Sequence, residues 1–155
     1  MSDDILSVIP ADPYWQPDQN QAGRAVSAVA ALLPEGLDGM EPEIEVERHQ
    51  SVHVVDCGGN LSTITCPRCA TQIDTSWWGD LIEERGEGGF DDLTAVLPCC
   101  GRTESLTGLD YDWPCGFARF EIAIWNPERD WFDDEELAEI AEALGHPVRQ
   151  IVTHI

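Results

Sequence analysis

Two cysteine clusters carry the chemistry of this sequence: Cys66-Pro67-Arg68-Cys69 and Pro98-Cys99-Cys100-Gly101. A Cys-x-x-Cys turn holds two thiolates at the bite that tetrahedral zinc needs, with Zn–S near ~2.3 Å. A second cluster, distant in sequence, supplies the rest of the shell. Cys66, Cys69, Cys99 and Cys100 therefore read as ligands of one structural Zn2+. Two adjacent residues rarely chelate one ion, so the fourth place stays open between Cys99 and Cys57, Cys115, His49 or His53. His49 and His53 share one face of a strand, where half-exposed histidines are more often bystanders than ligands. If one cysteine of the second cluster were not a ligand, water would complete the shell and the zinc would be catalytic. That alternative is a small zinc- or thiol-dependent enzyme using Cys66, Cys69 and Cys100. The sequence gives it little support. A zinc deaminase needs His-x-Glu ahead of its cysteines; that motif, His-Glu-x-x-His and the serine nucleophile elbow are all missing. Dithiol redox chemistry lowers a thiol pKa at a helix N-terminus, yet Thr71, Ile73 and Thr75 after Cys69 read as extended. Gly86, Gly88 and Gly89 lack the preceding strand and following Lys-Ser/Thr of a phosphate cradle.

The Cys-Pro-x-Cys turn resembles the knuckle of a zinc ribbon, with Ala70 where ribbons often carry glycine. The second cluster departs from that pattern: Cys-Cys-Gly replaces Cys-x-x-Cys-Gly, and Cys100 before Gly101 matches best. The longer string of Cys-Pro-x-Cys, Trp77-Trp78-Gly79-Asp80, Pro98-Cys99-Cys100-Gly101, Trp113-Pro114 and Gly116-Phe117-Ala118-Arg119-Phe120 resembles a group of small acidic bacterial proteins. The resemblance spans roughly residues 50–155 and brings no activity or substrate with it.

The elements that would position these cysteines follow from periodicity. Ile5 to Ile9 is an apolar strand ending at Pro10. Asp18 or Asn20 caps a helix whose stripe is Ala22, Ala25, Val26, Val29, Ala30 and Leu33, stopped by Pro34. From Glu43 the period becomes two, with Ile44 and Val46 alternating with glutamates. Leu61 to Thr65 reads as a strand returning to Cys66. Asp74, Thr75 or Ser76 caps a helix carrying Trp77 and Trp78, which cannot point the same way on one helix. One is expected on the metal lobe and the other on the main body or a partner. Leu93 to Leu97 is a strand leading to the second cluster, and Arg102 to Trp113 reads as a polar connector with Leu106, Leu109, Tyr111 and Trp113 as packing anchors. Phe117 to Trp125 is the clearest strand, with Phe120, Ile122 and Ile124 on one face. Acidic residues from Asp133 open a helix with stripe Leu137, Ile140, Ala141 and Leu144, closed by Gly145. Val148 to Ile155 is the last strand. Both ends of the chain thus run strand, Trp-bearing loop, helix, strand. The order predicts a single α+β domain over residues 1–155: a ferredoxin-like β-α-β/β-α-β sandwich with a zinc-ribbon-like lobe inserted at 57–115. So small a Gly-rich insertion needs a staple, and structural zinc supplies roughly 10–16 kcal/mol in small peptides.

Charge bounds the partners. The chain of 155 residues has 30 Asp and Glu against 8 basic residues, all arginine, for a net charge of −22. Such a field opposes phosphate backbones and anionic membranes, which both require cationic contacts. It steers a basic protein inward, as small immunity or inhibitor proteins do with cationic toxins or nucleases. Acidity also serves solubility on its own. The start of the chain lacks the basic and apolar regions of a signal peptide, and no apolar run spans a membrane. Six cysteines in that context read as metal ligands or free thiols, and the expected location is cytoplasmic. The composite expectation is a zinc-binding, acidic protein-interaction module.

Overall fold

The computed structural model describes residues 4–34, 42–55, 61–86, 88–113, 115–129 and 131–154. The chain runs β1 (Asp4–Pro10), α1 (Gln19–Leu32), β2 (Glu43–Val55), β3 (Ile64–Thr65), β4 (Gln72–Ile73) and α2 (Thr75–Gly86). It continues through β5 (Thr94–Val96), β6 (Thr103–Ser105), a 3-10 turn (Leu106–Gly108), β7 (Asp110–Tyr111), β8 (Gly116–Trp125), α3 (Asp134–Leu144) and β9 (Val148–His154). The fold is mixed α+β. Its main sheet has four antiparallel strands in the order β2-β8-β1-β9.

Strand alternation gives that sheet two different faces. Leu6 and Val8 of β1 share a face with Phe120, Ile122 and Ile124 of β8. This face is covered by α1 and α3, which also pack on each other through Ala22, Ala25 and Val29 against Ile140 and Leu144. Both helices start at an aspartate with a reciprocal capping box: Asp18 with Gln21, and Asp133 with Glu136. Gly145 closes α3 in the left-handed region at φ 82, a conformation that favours glycine. Arg129 grips Glu136 with two bonds of 2.8 and 2.6 Å, and so holds the Glu136 carboxyl down to about 2.

The elements between β2 and β8 form two small sheets, β4-β3-β7 and β5-β6. Their core is continuous with the other face of the main sheet. Ile9, Val52, Val55, Phe117 and Ile151 pack in one cluster with Ile64, Cys66, Ile73, Phe90, Leu97 and Leu106. Phe90 meets Phe117 edge-on at 5.5 Å. β2 reaches this second core through an irregularity: Arg48 pairs with Phe120 and His53 with Ala118, so β2 uses five steps where β8 uses two.

Two expectations change here. The returning strand expected at Leu61 to Thr65 is only Ile64–Thr65, and it pairs with β4 and β7 rather than β2. Asp112 explains the shortening: it accepts from the Ser62 amide at 3.0 Å and from the Ser62 hydroxyl, taking over the preceding backbone. The segment expected as a polar connector keeps its anchors Leu106 and Leu109 buried, and it also contains β6, the 3-10 turn and β7, because β5 and β3 lie beside it and pair with its backbone. Trp78 is buried, and Trp77 packs partly buried, on the cluster that the small sheets share with the main sheet. No helix among the described residues is long and apolar enough to cross a membrane.

A half-buried carboxylate, Glu121, lies in β8. The Ser7 hydroxyl donates to Glu121 at 2.6 Å. Burial pushes the Glu121 pKa up, Glu47 and Glu45 add to the rise, and Ser7 and His49 oppose it. The unfolded chain therefore loses this proton more readily, and the ionised group destabilises the fold above its folded pKa. Glu121→Gln is expected to be more stable than the parent at neutral pH. The difference should vanish as pH falls below the ordinary glutamate value of ~4.3. Urea titrations on both sides of that value test this, and a less stable Gln variant at neutral pH would contradict it.

Candidate metal centre

The first knuckle is a tight turn closed by two backbone bonds. The Ala70 amide donates to the Cys66 carbonyl at 3.0 Å, and the Cys66 amide donates to the Thr71 carbonyl at 2.9 Å. Ala70 turns the chain at φ 60. The second knuckle repeats this frame. The Gly101 amide donates to the Leu97 carbonyl at 2.9 Å, the Leu97 amide donates to the Arg102 carbonyl at 2.9 Å, and Gly101 has φ 71. Leu97-Pro98-Cys99-Cys100-Gly101 thus overlays in geometry on Cys66-Pro67-Arg68-Cys69-Ala70. Leu97 stands where the first knuckle has Cys66, and both are 1 % exposed in the same core. The thiol missing at that position is supplied by Cys99, from the position of Arg68.

The four sulfurs of Cys66, Cys69, Cys99 and Cys100 all lie within 4.8 Å of one another. Cys66 Sγ is 3.9 Å from Cys100 Sγ, and Cys69 Sγ is 3.5 Å from Cys99 Sγ. A tetrahedral ion with Zn–S of ~2.3 Å requires sulfurs ~3.8 Å apart, so these spacings fit. A disulfide needs ~2.05 Å, and these four cysteines are free thiols. The cluster could hold a metal ion, and its all-sulfur donor set suits a soft or borderline dication.

The surroundings favour charge on sulfur. The amides of Arg68 and Cys69 point at Cys66 Sγ at 3.4 and 3.5 Å. Hydrogen bonds from the Thr71 side chain and backbone bring the Cys69 thiol down to about 6. Desolvation, followed by hydrogen bonding with Cys69, pushes Cys99 up to about 12. With no ion bound, the cluster favours a thiolate at Cys69 and a protonated Cys99. A dication must displace the remaining protons, so its affinity rises with pH. Arg68 Nε bonds Glu104 at 2.7 Å, tying the first knuckle to β6 just beyond the second.

The other candidate ligands lie elsewhere. Cys115 is buried, with its Sγ 3.9 Å from the Val55 carbonyl. His49 and His53 meet on β2 with ring centroids 3.9 Å apart and planes tilted by 45°. Cys57 falls outside the described residues. Sequence reasoning missed the Leu97 equivalence. Its signal was present in register: proline second, cysteine fourth, and a small residue fifth in both five-residue strings.

Ala70 is the weak point of the first knuckle, since a left-handed conformation costs an L-residue ~1–2 kcal/mol. Ala70→Gly is expected to stabilise the metal-loaded protein by up to ~1 kcal/mol, after the larger entropy loss of glycine. Chemical denaturation in the presence of excess zinc reads this, and a loss of stability would contradict the assignment.

Comparison with protein-family models, curated proteins and solved structures returned no match to this chain.

Proposed function

We propose that the four-cysteine cluster binds one structural Zn2+ and that the protein is an acidic interaction module for a basic protein partner, of the immunity or inhibitor type. The sulfur spacing carries the metal assignment: four thiolates fill a tetrahedral shell and leave no position for water or substrate, which supports a structural over a catalytic ion. In this reading the main sheet and its two helices are a ferredoxin-like sandwich. The strand order β2-β8-β1-β9 with one helix between β1 and β2 and one between β8 and β9 supports it. Residues 57–115 are then an inserted zinc-ribbon-like lobe, supported by the paired knuckles and the two small sheets. Reduced thiols held by metal fit a cytoplasmic protein.

The partner assignment rests on charge. A net charge of −22 without one lysine disfavours nucleic acid and anionic lipid, and accelerates encounter with a cationic surface. The test is affinity chromatography of source-cell extract on the immobilised zinc-loaded protein, then calorimetry with the purified retained partner at rising salt. The expected result is one dominant basic protein whose affinity falls with ionic strength. Retention of acidic proteins, or an affinity indifferent to salt, would contradict the reading.

A further inference from the structure

β2 is an edge strand, paired to β8 on one side. Its outer side is divided into two parts. Near its C-terminal end the segment 88–90 covers it. The Phe90 amide donates to the Val52 carbonyl at 2.6 Å, forming an antiparallel bridge. The Ser51 hydroxyl donates to the Gly88 carbonyl at 3.1 Å. The approach is close, since a Cβ on Gly89 would sit 2.7 Å from Ser51 Cβ. Over Glu43–Gln50, no second strand pairs with β2 among the described residues.

The side chains along this stretch alternate. Glu43, Glu45 and Glu47 stand opposite Trp125, Ala123 and Glu121, on the face of the sheet away from the helices. Glu121 adds a carboxylate beside Glu47. Ile44 and Val46 lie on the helix side opposite Ile124 and Ile122, and Val46 is 45 % exposed. The one cation of the stretch is turned to the body: Arg48 bonds the Pro17 carbonyl at 2.9 Å and lies over the Phe120 ring at 5.4 Å. Glu45 accepts from the Trp125 indole at 3.3 Å, and Glu47 lies 3.7 Å from His49.

Alternating carboxylates on an edge disfavour pairing of two copies, because like charges face each other across an antiparallel pair. The same pattern selects a strand of opposite charge. We propose that the outer edge of β2 from Glu43 to Gln50 receives an extended, alternately basic segment of the partner protein as an added strand. Lys or Arg of that segment faces Glu43, Glu45 and Glu47, and β-branched residues cover Ile44 and Val46. Backbone hydrogen bonds supply affinity and the side chains set the register. This rests on the basic-partner reading above, and names where the partner docks and in what conformation.

The probe is a synthetic peptide alternating lysine with valine and threonine, compared with the same peptide N-methylated at every second residue. N-methylation removes the backbone donors and leaves the charge. Two variants change net charge equally: Glu45→Lys with Glu47→Lys on the edge, and Glu139→Lys with Glu142→Lys on the exposed side of α3. Retained zinc and circular dichroism verify that each is folded. Calorimetry is expected to show the methylated peptide binding at least about tenfold more weakly, with a similar loss for the edge variant and at most about threefold for the α3 variant. Amide exchange should slow along 43–50 when the unmodified peptide binds. Equal binding of the two peptides, or equal losses for the two variants, would overturn strand addition and leave only general charge attraction, with the basic-partner reading intact. Failure of both peptides to bind, with a basic protein retained from extract equally by the parent and the edge variant, also overturns the edge alone. Failure of both peptides with no basic protein retained removes both proposals.

Discussion

Cys66→Ser is expected to empty the metal centre and unfold the elements between β2 and β8. Cys66 is at once a knuckle residue, a sulfur at 3.9 Å from Cys100, and a fully buried member of the second core. Its loss removes a ligand from a shell whose occupancy is worth roughly 10–16 kcal/mol in small zinc peptides, and leaves a hydroxyl in an apolar site. The expected cost is at least ~4–5 kcal/mol, the range reached when a metal is lost. Elemental analysis would show zinc falling from one per chain towards none, and denaturation would show a large drop in midpoint. A Cys66→Ser protein that keeps stoichiometric zinc and parental stability would contradict the ligand set. The equivalence of the two knuckles adds a sharper outcome. Cys99→Ser should also lose zinc, and adding Leu97→Cys to it should bring zinc back, because position 97 occupies the place of Cys66 in the repeated turn. Zinc content of the single and double variants reads this directly.

Phe117→Ala is expected to cost ~3–5 kcal/mol, the usual range for a buried Phe truncated to Ala. Phe117 is fully buried on β8 and meets Phe90 edge-on at 5.5 Å. It belongs to the cluster that joins Ile9 and Ile151 of the main sheet to Ile64, Leu97 and Leu106 of the small sheets. The cavity would open where the two parts share a core, so zinc affinity should weaken together with global stability. Guanidinium titration with parallel zinc competition measures both. A loss below ~1 kcal/mol would mean that the small sheets do not share a core with β8.

Much of this architecture was legible because it depends on local signals. Phe120, Ile122 and Ile124 alternate, and β8 follows. Asp18 and Asp133 sit where capping aspartates belong, and Gly145 closes α3 as a left-handed cap. The four cysteines stood out by type and spacing, and their sulfurs converge. What escaped depends on contacts between distant segments. β3 is short because Asp112, far along the chain, takes the backbone of Ser62. The anchors Leu106 and Leu109 were legible after Arg102, but β6 and β7 around them exist only because β5 and β3 pair with them. The role of Cys99 was ambiguous because adjacent cysteines point different ways. Only the repeated backbone frame shows that Leu97 occupies the place of Cys66, while Cys99, from the place of Arg68, brings its sulfur to the cluster. Both tryptophans of α2 join the one cluster that the small sheets and the main sheet share.

Zinc K-edge X-ray absorption on the purified protein, with metal stoichiometry determined on the same sample, decides the ligand set. One zinc per chain is expected, surrounded by four sulfur scatterers at ~2.3 Å and no nitrogen or oxygen. A shell of three sulfurs with a light scatterer, or a folded protein without stoichiometric metal, would contradict it.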